Sequence, residues 1–207
     1  MKISAHTELL VATRNVGKIR ELTELLGGVP LRLRHLSEFP DGPEVEETGD
    51  TFAENARLKA VRYGEHARLL TLADDSGLEV AALNGAPGVR SARYAGASAT
   101  DAERIELLLR ELSRTNLSDR RARFVCAAAL YDPLCGETEI FTGDCAGRIA
   151  EASRGTGGFG YDPVFIPDGY EQTFAELPSD VKQRISHRAR ALRHASDFIR
   201  QAFNRFP

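Results

Sequence analysis

Residues that build zinc or disulfide frameworks are scarce in this chain. The three cysteines, Cys126, Cys135 and Cys145, are an odd set with no C-x-x-C pair, so neither a disulfide scaffold nor a zinc ribbon is expected. Cys126 and Cys145 fall in strand-like runs, where a free thiol packs as a small apolar side chain. The five histidines show no H-x-x-x-H or mixed Cys/His spacing, which argues against zinc. No apolar run approaches the roughly 20 residues that span a bilayer. The N-terminal "MKISAHTELLVAT" has too short an apolar piece for a secretion signal and no small-residue cleavage site, so a cytoplasmic location is expected. A net charge of −3 offers no general attraction to nucleic acid or membrane.

What is present is an ordinary globular composition, 42% apolar and 28% charged over 207 residues. That suffices for one domain spanning 1–207, whole or in two lobes. "ELLVAT" (8–13) reads as a strand and 17–26 as a helix with Ile19, Leu22, Leu25 and Leu26 on one face. Gly27-Gly28 stops that helix, and "LRLRH" (31–35) alternates like a half-exposed strand. Thr51-x-x-Glu54 is a capping box opening a helix through about Tyr63, and Thr100-x-x-Glu103 is another before "DAERIELLLREL". Strands are expected at 69–73 and 78–83, separated by an Asp74-Asp75-Ser76-Gly77 turn, then at 122–131, 139–149 and 164–166. The last 25 or so residues are helical, with Ser186 as an N-cap that breaks them in two. The order predicts an α/β protein with a mixed sheet.

Five segments have residues suited to chemistry. Thr13-Arg14-Asn15-Val16-Gly17-Lys18 is a strand-to-helix turn, whose free N–H groups and dipole suit phosphate oxygens, with Asn15 or Thr13 as cap. It is not a Walker A loop, because Ala12 and Ile19 stand at required positions. In "EVEETGDTFAENARLKA", Glu46 and Glu47 precede a flexible Thr-Gly, while Asn55 and Lys59 share one helix face. Gly155, Gly157 and Gly160 formally spell G-x-G-x-x-G, but Pro163 forbids the helix a dinucleotide fold needs. A loop exposing Phe159 or Tyr161 suits stacking on a base instead. His187 and Arg188 fall in the first turn of the final helix, where basic residues oppose the dipole. "TLADDSGLEV" sets two acids side by side, either in a solvated turn or holding a cation and activating water.

Together these segments resemble the inosine triphosphate pyrophosphatase family of noncanonical purine nucleoside triphosphatases. The resemblance is carried by "LVATRNVGKIREL", "EETGDTFAENARLKA", "ADDSGLEV" with "GAPGVRSARYAG", "GTGGFGYDPVF", "AEL" and "ISHRARAL", in that order. Arg14 falls at a position the pattern leaves open. The resemblance implies Mg²⁺-dependent hydrolysis of ITP, dITP and XTP to monophosphate and pyrophosphate, cleansing the nucleotide pool. It also implies a homodimer, and an elongated mixed β-sheet flanked by helices, with a cleft between two lobes. By position, Thr13 to Lys18 would bind the triphosphate, with Lys59 and Lys182 adding charge. Asp75 would be general base and metal ligand, Glu46 the other carboxylate at the metal, and Ser76 would touch the substrate. Phe159, Gly160, Tyr161, Asp162, His187 and Arg188 would enclose the base, Arg188 or its helix-start N–H groups donating to a 6-carbonyl. Asp74 would support Asp75. A pyrophosphatase for modified pyrimidine nucleotides is the alternative within enzymes. An RNA-binding module is the alternative outside them, disfavoured by the overall acidity.

Overall fold

The structure, a computed structural model, describes residues 1, 3–4, 7–29, 31–115 and 118–205. Strand β1 (Glu8–Val11) leads into α1 (Val16–Leu26), and β2 (Arg32–His35) precedes α2 (Phe52–Ala67). Strand β3 (Leu70–Val80) is followed by α3 (Asp101–Arg114), then by β4 (Arg121–Asp132) and β5 (Glu137–Ile149). The chain closes with β6 (Phe165–Pro167), α4 (Ser179–Ile185) and α5 (His187–Arg205). The strands hydrogen-bond in the order β2-β1-β3-β4-β5-β6. β1 is parallel to both β2 and β3, whereas β5 and β6 are antiparallel, so the sheet is mixed as expected.

Local signals set the helix starts. Asn15 accepts the Lys18 N–H at 3.0 Å and caps α1. Thr51 with Glu54, and Thr100 with Glu103, form the two capping boxes ahead of α2 and α3. Ser186 has extended backbone and separates α4 from α5. Helix α2 runs to Ala67, one turn past the expected end, and stops at Arg68 in the left-handed conformation.

One expectation fails at a consequential place. Asp74-Asp75-Ser76-Gly77 is not a turn between two strands, because β3 passes through it unbroken. The acids belong to an extended, buried segment, with Asp74 at 1% and Asp75 at 5% exposure. Turn propensity reflects how these residues behave when solvated. Here both carboxylates are paired with cations, which removes the reason to turn outward.

Contacts divide the chain into two compact units. The first comprises Met1–Asp75, Cys126–Gly143 and Arg188–Pro207, and the second Ser76–Val125 and Asp144–His187. The first has a core of Leu9, Val11, Leu22, Leu72, Leu130 and Leu192, into which Cys126 packs. The second is built on Leu78, Ile105, Leu108, Phe124, Phe165 and Phe174, with Cys145 among them. Both thiols are the small core residues expected. No helix among the described residues is long and apolar enough to cross a membrane.

Candidate active site

Successive residues of a strand point to opposite faces, and the first unit exploits this at the end of its β3 segment. Leu70 and Leu72 join the core under α1 and α5, and Asp74, two residues on, points the same way. It meets a cation from each helix: Lys18 Nζ lies 2.9 Å from its Oδ2, and the Arg188 Nε donates to the same oxygen at 3.2 Å. Arg188 in turn pairs with Glu21, one turn beyond Lys18 on α1. Burial alone would raise the Asp74 pKa, but Lys18, Arg188 and Lys59 outweigh it and hold the carboxyl far below the usual range. Arg188 is likewise penalised by burial and rescued by Asp74 and Glu21, so it stays charged. The neighbouring Cys126 thiol is pushed up to about 12 by burial and by Asp74, which keeps it inert.

Asp75 faces α2. Lys59 Nζ donates to its Oδ1 at 3.0 Å and Asn55 Nδ2 to its Oδ2 at 3.3 Å. The i, i+4 pair on α2 therefore converges on one carboxylate. Lys59 also donates to Glu47 Oε1 at 2.7 Å, while Asn55 clasps both backbone groups of Gly49. Burial raises the Asp75 pKa, Lys59 opposes the rise and the Glu47 charge adds to it, leaving the group above its ordinary value. Adjacent acids thus have opposite biases. Asp74 is held ionised by two cations, and Asp75 is a buried carboxylate with raised proton affinity, the pattern that separates a structural acid from a general base.

Other expected residues lie outside these ion pairs. Glu46 is exposed, and Glu47 is the acid that reaches Lys59. Thr13, Arg14, Asn15, Val16 and Gly17 form the turn before and into α1, with Val16 80% exposed at the helix start. Ser76 is half-buried and opens the second unit's part of β3. Glu21 and Asn55 complete the cluster. Asn55 was visible through its spacing from Lys59, whereas Glu21 offered only its position one turn after Lys18.

In the second unit, Asp162 organises the glycine-rich segment. Its Oδ2 accepts the Phe159 N–H at 2.8 Å and Lys182 Nζ at 2.5 Å. The Lys182 ammonium lies 4.8 Å from the centre of the half-buried Phe159 ring. Tyr161 is buried, and its hydroxyl donates to the Ser91 carbonyl at 3.0 Å. Phe159 is therefore the aromatic available for stacking, and Tyr161 is a core anchor. His187 stacks on Phe124 at 4.6 Å and is almost fully buried. Gly158 has φ +73°, and a Cβ there would sit 2.0 Å from Asp162 Oδ2. Gly158→Ala is expected to cost about 1–3 kcal/mol through its left-handed backbone, and to displace Asp162. Urea unfolding checks this, and a cost near zero would mean that the segment relaxes freely.

A family model described as the Ham1 family matches residues 9–198. A dITP/XTP pyrophosphatase of Geobacter sulfurreducens is 49% identical over 193 residues, 93% of this chain and 96% of its own. Another from Bacillus anthracis is 46% identical over 197 residues, 95% of this chain and 98% of that protein. Among solved structures, a HAM1 protein from Coxiella burnetii matches with a TM-score of 0.87 at 44% identity, covering 94% of this chain and 99% of the other.

Proposed function

Because this chain belongs to the Ham1 family, we propose that it hydrolyses ITP, dITP and XTP to the nucleoside monophosphate and pyrophosphate. The observation that carries the reading is the divergence of Asp74 and Asp75. One buried carboxylate neutralises Lys18 and Arg188, and its neighbour is left with raised proton affinity beside Lys59. A water oxygen attacks the α-phosphorus and gives its proton to Asp75. The bond from the α-phosphorus to the bridging oxygen breaks, and pyrophosphate leaves with the electron pair. Lys59 and Lys18 would stabilise charge on the polyphosphate, as would the N–H groups opening α1.

A divalent cation fits this chemistry. Asp75 and Glu47 already share one cation, the Lys59 ammonium, and the cost of ionising buried Asp75 is what a hard cation offsets. Among the described residues no group of three or more His, Cys, Asp or Glu could hold a metal. Asp75 and Glu47 would therefore hold Mg²⁺ together with substrate oxygens, its usual mode beside phosphates. When bound, Mg²⁺ supplies charge neutralisation for the leaving pyrophosphate.

Inosine and xanthine present a 6-carbonyl acceptor where adenine presents an amino donor, so a buried donor separates them. Phe159 would stack on the base, a contact worth about 1–3 kcal/mol, with Lys182 supplying a donor beside it. Since the Arg188 guanidinium pairs with Asp74 and Glu21, its share in reading the base is smaller than the sequence alone suggests. The proposal extends to a cytoplasmic homodimer that clears such nucleotides from the pool.

Pyrophosphate release from ITP, dITP, XTP, GTP, ATP, dUTP and dTTP, with and without Mg²⁺, tests the reading. ITP and XTP are expected to exceed ATP by on the order of 10²-fold or more, the scale set by an unpaired buried donor, and to require Mg²⁺. Equal turnover of ITP, XTP and GTP would overturn it, and turnover without metal would remove the Mg²⁺ assignment.

A further inference from the structure

Within the Phe159–Asp162 segment, the Gly160 backbone amide is held from α3. Its N–H donates to Asp101 Oδ2 at 2.6 Å, across 59 positions of sequence. Asp101 is the first residue of α3, directly after the Thr100 cap. Its other oxygen accepts from Arg104 at 2.5 Å, and Arg104 also donates to the Ala99 carbonyl at 2.5 Å. The carboxylate is therefore oriented by its own helix and spends its second oxygen on the glycine segment. Gly160 has φ +62° and nothing within 4 Å of where a Cβ would stand. The Asp101 bond thus supplies a restraint on the glycine that side-chain packing does not.

We propose that Asp101 is a positioning residue for recognition of the substrate base, holding Gly160 so that the Phe159 ring is preorganised for stacking. This rests on the pyrophosphatase reading above. Three anchors define the segment. Asp162 takes the Phe159 N–H, Asp101 takes the Gly160 N–H, and the Tyr161 hydroxyl is tied to Ser91. The first and third come from buried side chains, while the Asp101 side chain is 46% exposed. A bond to an ionised acceptor is stronger than a neutral one, and losing it releases the segment without opening the core. Asp101 acts on binding and not on the reacting atoms, so its removal weakens substrate and transition state alike. That raises KM and leaves kcat in place.

The test is steady-state pyrophosphate release from ITP by wild type, Asp101→Ala, Asp101→Ser and Asp101→Asn, with thermal melting of each. Wild type that releases no pyrophosphate from ITP or XTP fails the pyrophosphatase reading, independently of any variant. With wild type active, Ala and Ser are expected to raise KM about tenfold or more with kcat within about twofold, the size of effect that loosened positioning produces. Asn keeps an acceptor within reach of Gly160 and is expected to restore most of the KM. Unchanged KM in Ala and Ser, or a fall in kcat alone, would overturn the proposal. So would an equal KM rise in Asn. Ser keeps a residue suited to a helix start, so it carries the comparison if Ala does not fold. Failure of both to fold would also overturn the proposal, by making the acid structural.

Discussion

Asp75→Asn is expected to reduce pyrophosphate release by on the order of 10²–10⁴-fold, the contribution of a positioned general base, while the protein still folds. The amide has the shape of the carboxylate, and its one oxygen can still accept from Lys59, whose donor lies at 3.0 Å, while its NH2 faces Asn55 and gives up the 3.3 Å bond there. It cannot take a proton from water. The stability argument follows from the raised pKa. A carboxyl that binds its proton more tightly when folded favours folding at low pH, below the ordinary carboxylate value of 3.8. That contribution is lost as pH rises through the raised folded value. At neutral pH the ionised group is a net burden, which the neutral amide removes. Lys59 keeps Glu47 as its partner. Turnover and melting curves measured together decide the matter. Near-normal turnover would end the base assignment, and a collapsed fold would show Asp75 to be structural.

Arg188→Ala carries the largest expected loss of stability, about 3–5 kcal/mol, the cost of breaking a buried ion pair from one side. Arg188 is 2% exposed, and its guanidinium serves Asp74 and Glu21. Without it, Asp74 and Glu21 each lose the guanidinium placed against them. For a domain of this size each kcal/mol lowers Tm by about 2–4 °C. The pH profile gives a second readout. Asp74 has a depressed folded pKa, so its contribution is present above the ordinary 3.8 and lost as pH falls below that value. Removing Arg188 lets the folded pKa rise, so the variant should show a shallower acid-side loss than wild type. Urea unfolding at several pH values checks both. A loss under about 1 kcal/mol, the scale of an exposed pair, combined with a collapsed ITP/ATP ratio would return Arg188 to base reading.

The two variants separate the neighbouring acids experimentally. One strips chemistry and spares the fold, and the other strips stability through the partner of Asp74. Under the proposed function, Mg²⁺ would act with the first of these, beside Asp75 and Glu47.

Much of this was legible in the sequence because the rules involved are short-range. Asn15, Thr51 with Glu54, and Thr100 with Glu103 start the three helices where their spacing places them, and Ser186 divides the last two. Each cap is settled by residues within four positions of one another. The shared face of Asn55 and Lys59 follows equally from helix geometry. The ordered motifs also identified the family. The tertiary structure alone decided that β3 runs straight through Asp74-Asp75-Ser76-Gly77, because the cations that keep the acids from turning to water come from α1, α2 and α5. It also decided that Glu47 and not Glu46 meets Lys59, that Tyr161 is a core anchor, that Arg188 pairs with Glu21 across 167 residues, and that Asp101 holds Gly160. Those outcomes depend on which charges are brought together and desolvated. Local propensity carries no term for that, and burial makes it decisive.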